Sequence, residues 1–181
     1  MKQALVVIDV QPVFLNDASF RTLDGDDLVE KCATLIDGAR VAGIPVIYVR
    51  HADDDDMPDG TPEEAKRFHP DLAPLPDEPV VDKIFGSGFM ETNLDDVLKT
   101  RQIEGIVACG LSTYGCVNQT VLFAKLYGYD VSVVGNAHAG PDSPDFSVSE
   151  GIPIFHRAWE KGGIRILGPN DVPFRLSASS R

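Results

Sequence analysis

Residues 4–8 read Ala-Leu-Val-Val-Ile, an uninterrupted apolar run that is followed at once by Asp9. A strand with one face in water alternates apolar and polar residues, whereas a strand buried on both faces is apolar throughout. The run therefore predicts the central strand of a parallel sheet. Because such a sheet is covered by helices on both faces, an α/β fold is expected.

The remainder of the chain alternates predicted helices and strands. Apolar residues recur at helical spacing over residues 26–40, and Gly43 follows as a C-terminal cap would. Further strands are predicted at residues 44–49, 79–83, 105–110, 130–134 and 164–167, and further helices between Thr92 and Ile103, from Tyr114 to Tyr127, and from Pro153 to Trp159. We expect a doubly wound parallel sheet of about six strands with helices on both faces. One domain over residues 1–181 is predicted, with a polar tail from about residue 169 and a long surface loop over residues 51–78.

Charge and composition exclude several classes of function. The chain of 181 residues has 16 Lys and Arg against 28 Asp and Glu, for a formal net charge of -12. Such a surface repels nucleic-acid phosphates and anionic lipid, so we expect neither a nucleic-acid nor a membrane partner. The N-terminus lacks a basic region followed by a long apolar stretch, which favours a cytoplasmic protein.

The sequence also argues against a cofactor or a structural metal. Cys32, Cys109 and Cys116 form no CxxC motif, so neither a disulfide framework nor a zinc site is indicated. The turn after the first predicted strand, residues 9–14, contains no glycine. A nucleotide cofactor is therefore not expected, because the dinucleotide-binding version of this architecture needs a glycine-rich turn there.

Four chemically capable side chains follow predicted strands or begin the helix after one, namely Asp9, His51, Lys83 and Cys116. Ligands of an open parallel sheet bind where the carboxyl ends of its strands emerge, so these groups are expected to meet. A thiol at a helix N-terminus beside an ammonium has a lowered pKa, and a carboxylate can carry its proton to a departing amine. The set therefore predicts a nucleophilic Cys116 with Lys83 and Asp9 as its partners. Backbone N–H groups of the first helical turn are candidates for stabilising an oxyanion.

Each of these residues also has a purely structural interpretation. Cys116 alone is consistent with a buried thiol, Asp9 with a residue that braces a turn, and Lys83 with a solvated surface cation. Cys32 and Cys109 fall at apolar positions and are predicted to be core residues. The joint placement of Asp9, Lys83 and Cys116 at strand ends favours the catalytic interpretation.

Three segments carry a resemblance to a known family. Residues 4–14 place an aspartate after strand one, residues 81–94 place Lys83 before a Phe-x-x-Thr-x-Leu pattern, and residues 110–117 read Gly-Leu-Ser-Thr-Tyr-Gly-Cys-Val. In this order they resemble the signature regions of isochorismatase-like cysteine hydrolases. The resemblance implies a Cys116 nucleophile, an Asp9 proton carrier and a Lys83 that stabilises the thiolate. It also implies a cis peptide at Leu111–Ser112, an oxyanion hole formed by the N–H groups of Ser112 and Cys116, and a homo-oligomer.

The same comparison of motifs narrows the chemistry. Isochorismate-cleaving members usually lack the cysteine, so Cys116 argues against vinyl-ether hydrolysis. Nicotinamidases usually carry an Asp-x-His pattern and further histidines that bind a metal, whereas this chain has His51, Ala52 and an acidic run at residues 53–56. This difference argues against nicotinamide as substrate and against a catalytic metal, while weak binding of a divalent cation by the acidic run stays open. The leading hypothesis is a hydrolase of a small carboxamide or cyclic amide, acting through a thioester on Cys116.

The side chains expected to line the substrate pocket are Phe14, His51, Phe89, Tyr114 and His138. For the aromatic residues the alternative is a place in the core, and for His138 it is a contact with loop backbone. Two other functions stay open, a thiol redox sensor with Cys109 as partner of Cys116, and a catalytically silent interaction protein on the same fold.

Overall fold

A parallel sheet of six strands forms the centre of the molecule, in the order β3-β2-β1-β4-β5-β6. The computed structural model describes residues 1–16, 22, 24–53, 55, 57–142 and 147–174. The strands are β1 (Gln3–Ile8), β2 (Val46–His51), β3 (Val80–Lys83), β4 (Gly105–Leu111), β5 (Asp130–Ala139) and β6 (Arg165–Leu167). The helices are α1 (Pro12–Asn16), α2 (Gly25–Val41), α3 (Leu94–Thr100), α4 (Asn118–Leu126) and α5 (Val148–Lys161). The predicted doubly wound α/β fold is confirmed.

Strand β1 explains why the N-terminal run contains no polar residue. Leu5 and Val7 pack into the core on the α2 side of the sheet, whereas Val6 and Ile8 pack into the core on the side of α3 and α4. Successive side chains of a strand point to opposite faces, so both faces of β1 are apolar and both are covered. Burial of this strand fixes the central position that the sequence predicts. Within the described residues, no helix combines the length and apolar character needed to cross a membrane.

Two elements are longer than the sequence predicts. Strand β5 continues to Ala139, because after an irregularity near Ala108 and Gly110 it pairs again with the end of β4. Helix α5 begins at Val148 rather than at Pro153, because Ser147 and Glu150 form a capping box that satisfies backbone N–H groups at the helix start. Both extensions bring residues of the second half of the chain to the carboxyl end of the sheet.

Two segments predicted to lie on the surface contribute to the core instead. In the loop between β2 and β3, Leu72 is fully buried and the ring of Phe68 meets that of Tyr48 edge-on, with centroids 4.9 Å apart. In the predicted polar tail, Val172 and Phe174 are buried in the core on the α2 side. Residues 175–181 of that tail lie outside the described residues. Isolated apolar residues in a polar stretch carry no period, which is why the sequence pattern misses them.

Gly110 allows β1 and β4 to approach closely beside the end of β1. Its φ is +122°, and a Cβ atom added there would lie 2.0 Å from the carbonyl oxygen of Ile8. Neither β1 nor β4 can move away, because they pair along six residue positions from Gln3 to Ile8. A side chain at position 110 is therefore excluded by both conformation and space.

We predict that Gly110→Ala lowers the free energy of unfolding by about 3 kcal/mol or more, because backbone strain and overpacking add. Gly43→Ala is the matched control, since Gly43 also has a positive φ (+66°), but a Cβ atom added there would meet no atom of the described residues within 4 Å. The control is expected to cost only about 1 kcal/mol, the conformational penalty alone. Urea unfolding measures both values. Equal losses for the two variants would contradict the close contact with Ile8.

Candidate active site

The strand order creates a crevice at the carboxyl end of the sheet. The chain winds outward from β1 through β2 to β3 on one side and from β4 through β5 to β6 on the other. The switch between the two directions lies between β1 and β4, where open α/β sheets bind their ligands. Asp9 directly follows β1, and Cys116 lies in a π-type turn, Thr113–Val117, that directly follows β4 and Ser112. The crevice thus receives a carboxylate and a thiol from neighbouring strands.

Lys83 reaches the same crevice from two strands away. Its Nζ lies 2.8 Å from Asp9 Oδ2, 3.3 Å from Cys116 Sγ and 3.3 Å from His51 Nδ1. Strands β3 and β1 are separated by β2, a distance of about 10 Å, so only a long side chain at the end of β3 can make these contacts. The structure therefore brings together the three residues that the sequence singles out as catalytic, with His51 beside them.

These contacts account for the burial of a positive charge. The Lys83 side chain is 0% exposed and that of Asp9 is 3% exposed. An ammonium has three N–H donors, and three acceptors lie within 3.3 Å of this one. Since an ammonium accepts no hydrogen bond, His51 Nδ1 is the acceptor in its contact and carries no proton. The lysine is thus a charged centre contacted by a carboxylate, a thiol and an imidazole.

In this site the pKa of the Cys116 thiol is raised, whereas the sequence predicts a lowered pKa. Burial, and after it the Asp9 carboxylate, raises the pKa of the thiol to about 12 against a smaller opposite effect of Lys83. Burial also lowers the pKa of Lys83, but the Asp9 carboxylate and the contacts with Asp9 and Cys116 outweigh burial, so this pKa is raised. The prediction of a thiol with a lowered pKa is therefore wrong. The Cys116 thiol is partly buried and lies near the Asp9 carboxylate, and both effects oppose the lowering expected at a helix N-terminus.

A cavity of about 450 Å³ opens above these groups. The polar or ionisable groups among its lining residues include Asp9, His51, Ser112 and Cys116. The lining is largely apolar and also comprises Phe14, Thr22, Leu111, Tyr114 and Pro141. The sequence singled out Phe14, His51, Ser112 and Tyr114, but gave no signal for Thr22, Leu111 or Pro141. Thr22 and Pro141 come from loops, and which loop residues turn inward depends on the path of the whole chain.

Two predicted pocket residues lie elsewhere, which corrects the sequence analysis. Phe89 is buried in the core beside α4, where its ring stacks on Tyr127 with centroids 5.2 Å apart. His138 lies behind the turn that carries Cys116, with Nδ1 2.8 Å from Thr113 Oγ1. Phe89 is held in this core by its contacts with Tyr127 and Tyr129, and His138 belongs to the extended part of β5. The peptide bond between Leu111 and Ser112 is cis, as the resemblance implies.

The other cysteines lie away from the site. Cys32 and Cys109 are fully buried in the core on the α2 side, where the neighbouring Cys32 and burial raise the pKa of Cys109. Cys116 packs against the core on the opposite side of the sheet. A Cys109–Cys116 disulfide, which the redox alternative requires, would have to cross the sheet.

The described residues also bear on metal binding. Among them, no three His, Cys, Asp or Glu side chains lie close enough together to hold a metal ion. Of the acidic run at residues 53–56, Asp54 and Asp56 lie outside the described residues.

Comparisons of the sequence and of the structure with known proteins point to the same family. A family model described as the isochorismatase domain matches residues 3–148. The ureidoacrylate amidohydrolase RutB of Agrobacterium fabrum is 29% identical over 176 residues, with 77% of each chain covered. A solved cysteine hydrolase from Pseudomonas syringae has a TM-score of 0.87 at 26% identity, with 94% of this chain and 90% of that chain covered. The N-carbamoylsarcosine amidase of Thermoplasma acidophilum has a TM-score of 0.79 at 25% identity, with 96% and 99% covered.

The motifs, the strand order and the match over residues 3–148 agree with one another. The chain belongs to the isochorismatase family.

Proposed function

We propose that the protein hydrolyses a C–N bond of a small carboxamide or cyclic amide, with Cys116 as the nucleophile. One observation carries the proposal, namely that Lys83 Nζ contacts both Asp9 Oδ2 and Cys116 Sγ beside a cavity of about 450 Å³. Two of the relatives are named an amidohydrolase and an amidase, which supports the same class of reaction. A cavity of this volume suits a ligand of small-molecule size.

The protonation state of the Cys116 thiol determines how the first step of the reaction proceeds. Because the Cys116 thiol is neutral at pH 7, its proton must leave as the sulfur attacks. Asp9 is the base beside it: the S–C bond forms, the thiol proton passes to the Asp9 carboxylate, and the carbonyl electron pair moves to oxygen. The backbone N–H groups of Ser112 and Cys116 are the proposed donors to this oxyanion. Lys83 stabilises the sulfur while it carries negative charge.

The remaining steps return every group to its starting state. As the C–N bond breaks, Asp9 gives its proton to the departing nitrogen and a thioester remains on Cys116. Water then attacks the thioester while Asp9 accepts one of its protons. The S–C bond breaks, the carboxylic acid is released, and Asp9 returns the proton to the sulfur. Asp9 acts alternately as base and acid, as general acid–base catalysis requires.

The other functions have weaker support. A redox sensor lacks a partner thiol on the Cys116 side of the sheet among the described residues, since Cys109 and Cys32 pack on the opposite side. If the protein were catalytically silent, the buried Lys83–Asp9 pair and the cavity beside it would have no function. A homo-oligomer and a cytoplasmic location, which the sequence predicts, stay predictions.

We predict that release of ammonia or amine from a panel of small aliphatic, aromatic and cyclic amides requires Cys116. Cys116→Ala is expected to lower the rate at least about 1000-fold, because it removes the nucleophile of the covalent step. Cys32→Ala is the matched control and should retain the wild-type rate, since Cys32 lies in the opposite core. Turnover that survives Cys116→Ala would contradict the proposed mechanism.

A second prediction concerns the pKa of Cys116, measured by thiolate absorbance near 240 nm against Cys116→Ala as background. The wild-type thiol should stay neutral through pH 9, as burial and the Asp9 carboxylate raise its pKa to about 12. Asp9→Asn removes a negative neighbour and should lower this pKa, whereas Lys83→Met removes a positive neighbour and should raise it further. Both variants are nevertheless expected to hydrolyse amides more slowly. A wild-type thiolate that is fully formed by pH 8.5 would contradict this account of the site.

A further inference from the structure

We infer that helix α5 positions the nucleophile segment, residues 112–118, by hydrogen bonds to both of its ends. His156 acts on one end through His138 and Thr113, and Trp159 acts on the other through Asn118. The inference rests on the proposed function, since it concerns the N–H groups that would hold the oxyanion.

At the first end, Thr113 is held by two contacts. Its Oγ1 lies 3.1 Å from the carbonyl oxygen of Ala139 and 2.8 Å from His138 Nδ1. A carbonyl only accepts, so the single hydroxyl hydrogen of Thr113 is donated to Ala139. The hydroxyl oxygen must then accept the N–H of His138 Nδ1. Thr113 directly follows Ser112, so this pair of contacts fixes the residue next to one proposed oxyanion donor.

The proton on Nδ1 determines what the other nitrogen of His138 does. A neutral imidazole with a proton on Nδ1 has none on Nε2, which is therefore an acceptor. His138 Nε2 lies 2.8 Å from Nε2 of His156, and the latter must be the donor. Burial, with a smaller effect of the neighbouring His156, lowers the pKa of His138 to about 3, so His138 stays neutral and keeps this arrangement. A directed chain of hydrogen bonds thus runs from α5 to Thr113.

At the second end, α5 binds the residue that begins helix α4. Trp159 is buried, and its Nε1 donates to Asn118 Oδ1 at 2.8 Å. Asn118 comes two residues after Cys116. The Trp159 ring also contacts the His138 ring edge-on, with centroids 5.3 Å apart. Because His156 and Trp159 are three residues apart on one helix face, a single turn of α5 holds both ends of the nucleophile segment.

Loss of this support should affect reactions that form an oxyanion and spare those that do not. An oxyanion hole works only when its donors lie within about 2.7–3.1 Å of the developing charge, and loss of one donor costs about 100-fold or more. Addition of the thiol to an aldehyde converts S–H and C=O into a hemithioacetal, S–C–OH, whose oxygen occupies the oxyanion position and accepts hydrogen bonds from the same N–H donors. Alkylation by iodoacetamide displaces iodide at a saturated carbon and forms no oxyanion.

The test therefore compares two reactions of Cys116 in Thr113→Val, which keeps the shape of the side chain but removes the hydroxyl. The first is the rate constant of alkylation by iodoacetamide, measured by mass spectrometry. The second is the concentration of butyraldehyde that halves this rate, which reports reversible hemithioacetal formation. We expect an alkylation rate within twofold of wild type and a half-protecting concentration at least tenfold higher. Thr113→Ser, which keeps the hydroxyl, should return both values to within threefold of wild type.

His156→Phe provides a second variant on a different element. It removes the donor to His138 and should raise the half-protecting concentration at least threefold with little change in alkylation. Unchanged aldehyde protection in Thr113→Val, or alkylation that falls in parallel with protection, would overturn the inference alone. Failure of butyraldehyde to protect the wild-type thiol would overturn the proposed function and the inference with it. Neither readout depends on knowledge of the natural substrate.

Discussion

The buried ammonium of Lys83 is the constraint on which the site depends. A charge removed from water is tolerated in a protein interior only when it is paired and hydrogen-bonded. Here the compensation comes from Asp9 Oδ2 at 2.8 Å, with the Cys116 sulfur and the His51 imidazole each at 3.3 Å. Asp9 directly follows β1, His51 is the last residue of β2, and Cys116 lies in the segment after β4. The strand order of the sheet is therefore what makes the burial of this lysine possible.

The same arrangement determines the kind of chemistry that the sulfur can perform. Many reactive cysteines are thiolates at rest because positive charge surrounds them. At Cys116 the positive charge of Lys83 is already balanced by Asp9, so burial raises the pKa of the thiol. Proton transfer to Asp9 must then accompany attack, and the carboxylate is placed to return that proton to a leaving nitrogen. A neutral thiol beside a carboxylate is thus suited to acyl transfer more than to oxidation, which needs a thiolate.

Some features were predictable from sequence because they depend on local pattern. The apolar run of β1 predicts a strand that is buried on both faces, and therefore the centre of a parallel sheet. Residues at the carboxyl ends of neighbouring strands lie close together regardless of the conformation of the loops. The pocket walls were not predictable in this way, since Thr22 and Pro141 lie in loops and Phe89 is directed to the core by its stacking on Tyr127. The pKa of Cys116 was predicted in the wrong direction because desolvation depends on packing, which has no signature in one sequence.

The most direct test of this account is a double-mutant cycle on stability with Asp9→Asn, Lys83→Met and the pair together, measured by urea unfolding. If the two charges compensate each other in the interior, each single change leaves an unpaired buried group and should cost about 3 kcal/mol or more. The double variant should then be at least as stable as either single variant. Losses that simply add would show that Lys83 and Asp9 are independent, and would contradict the claim that this pair organises the site.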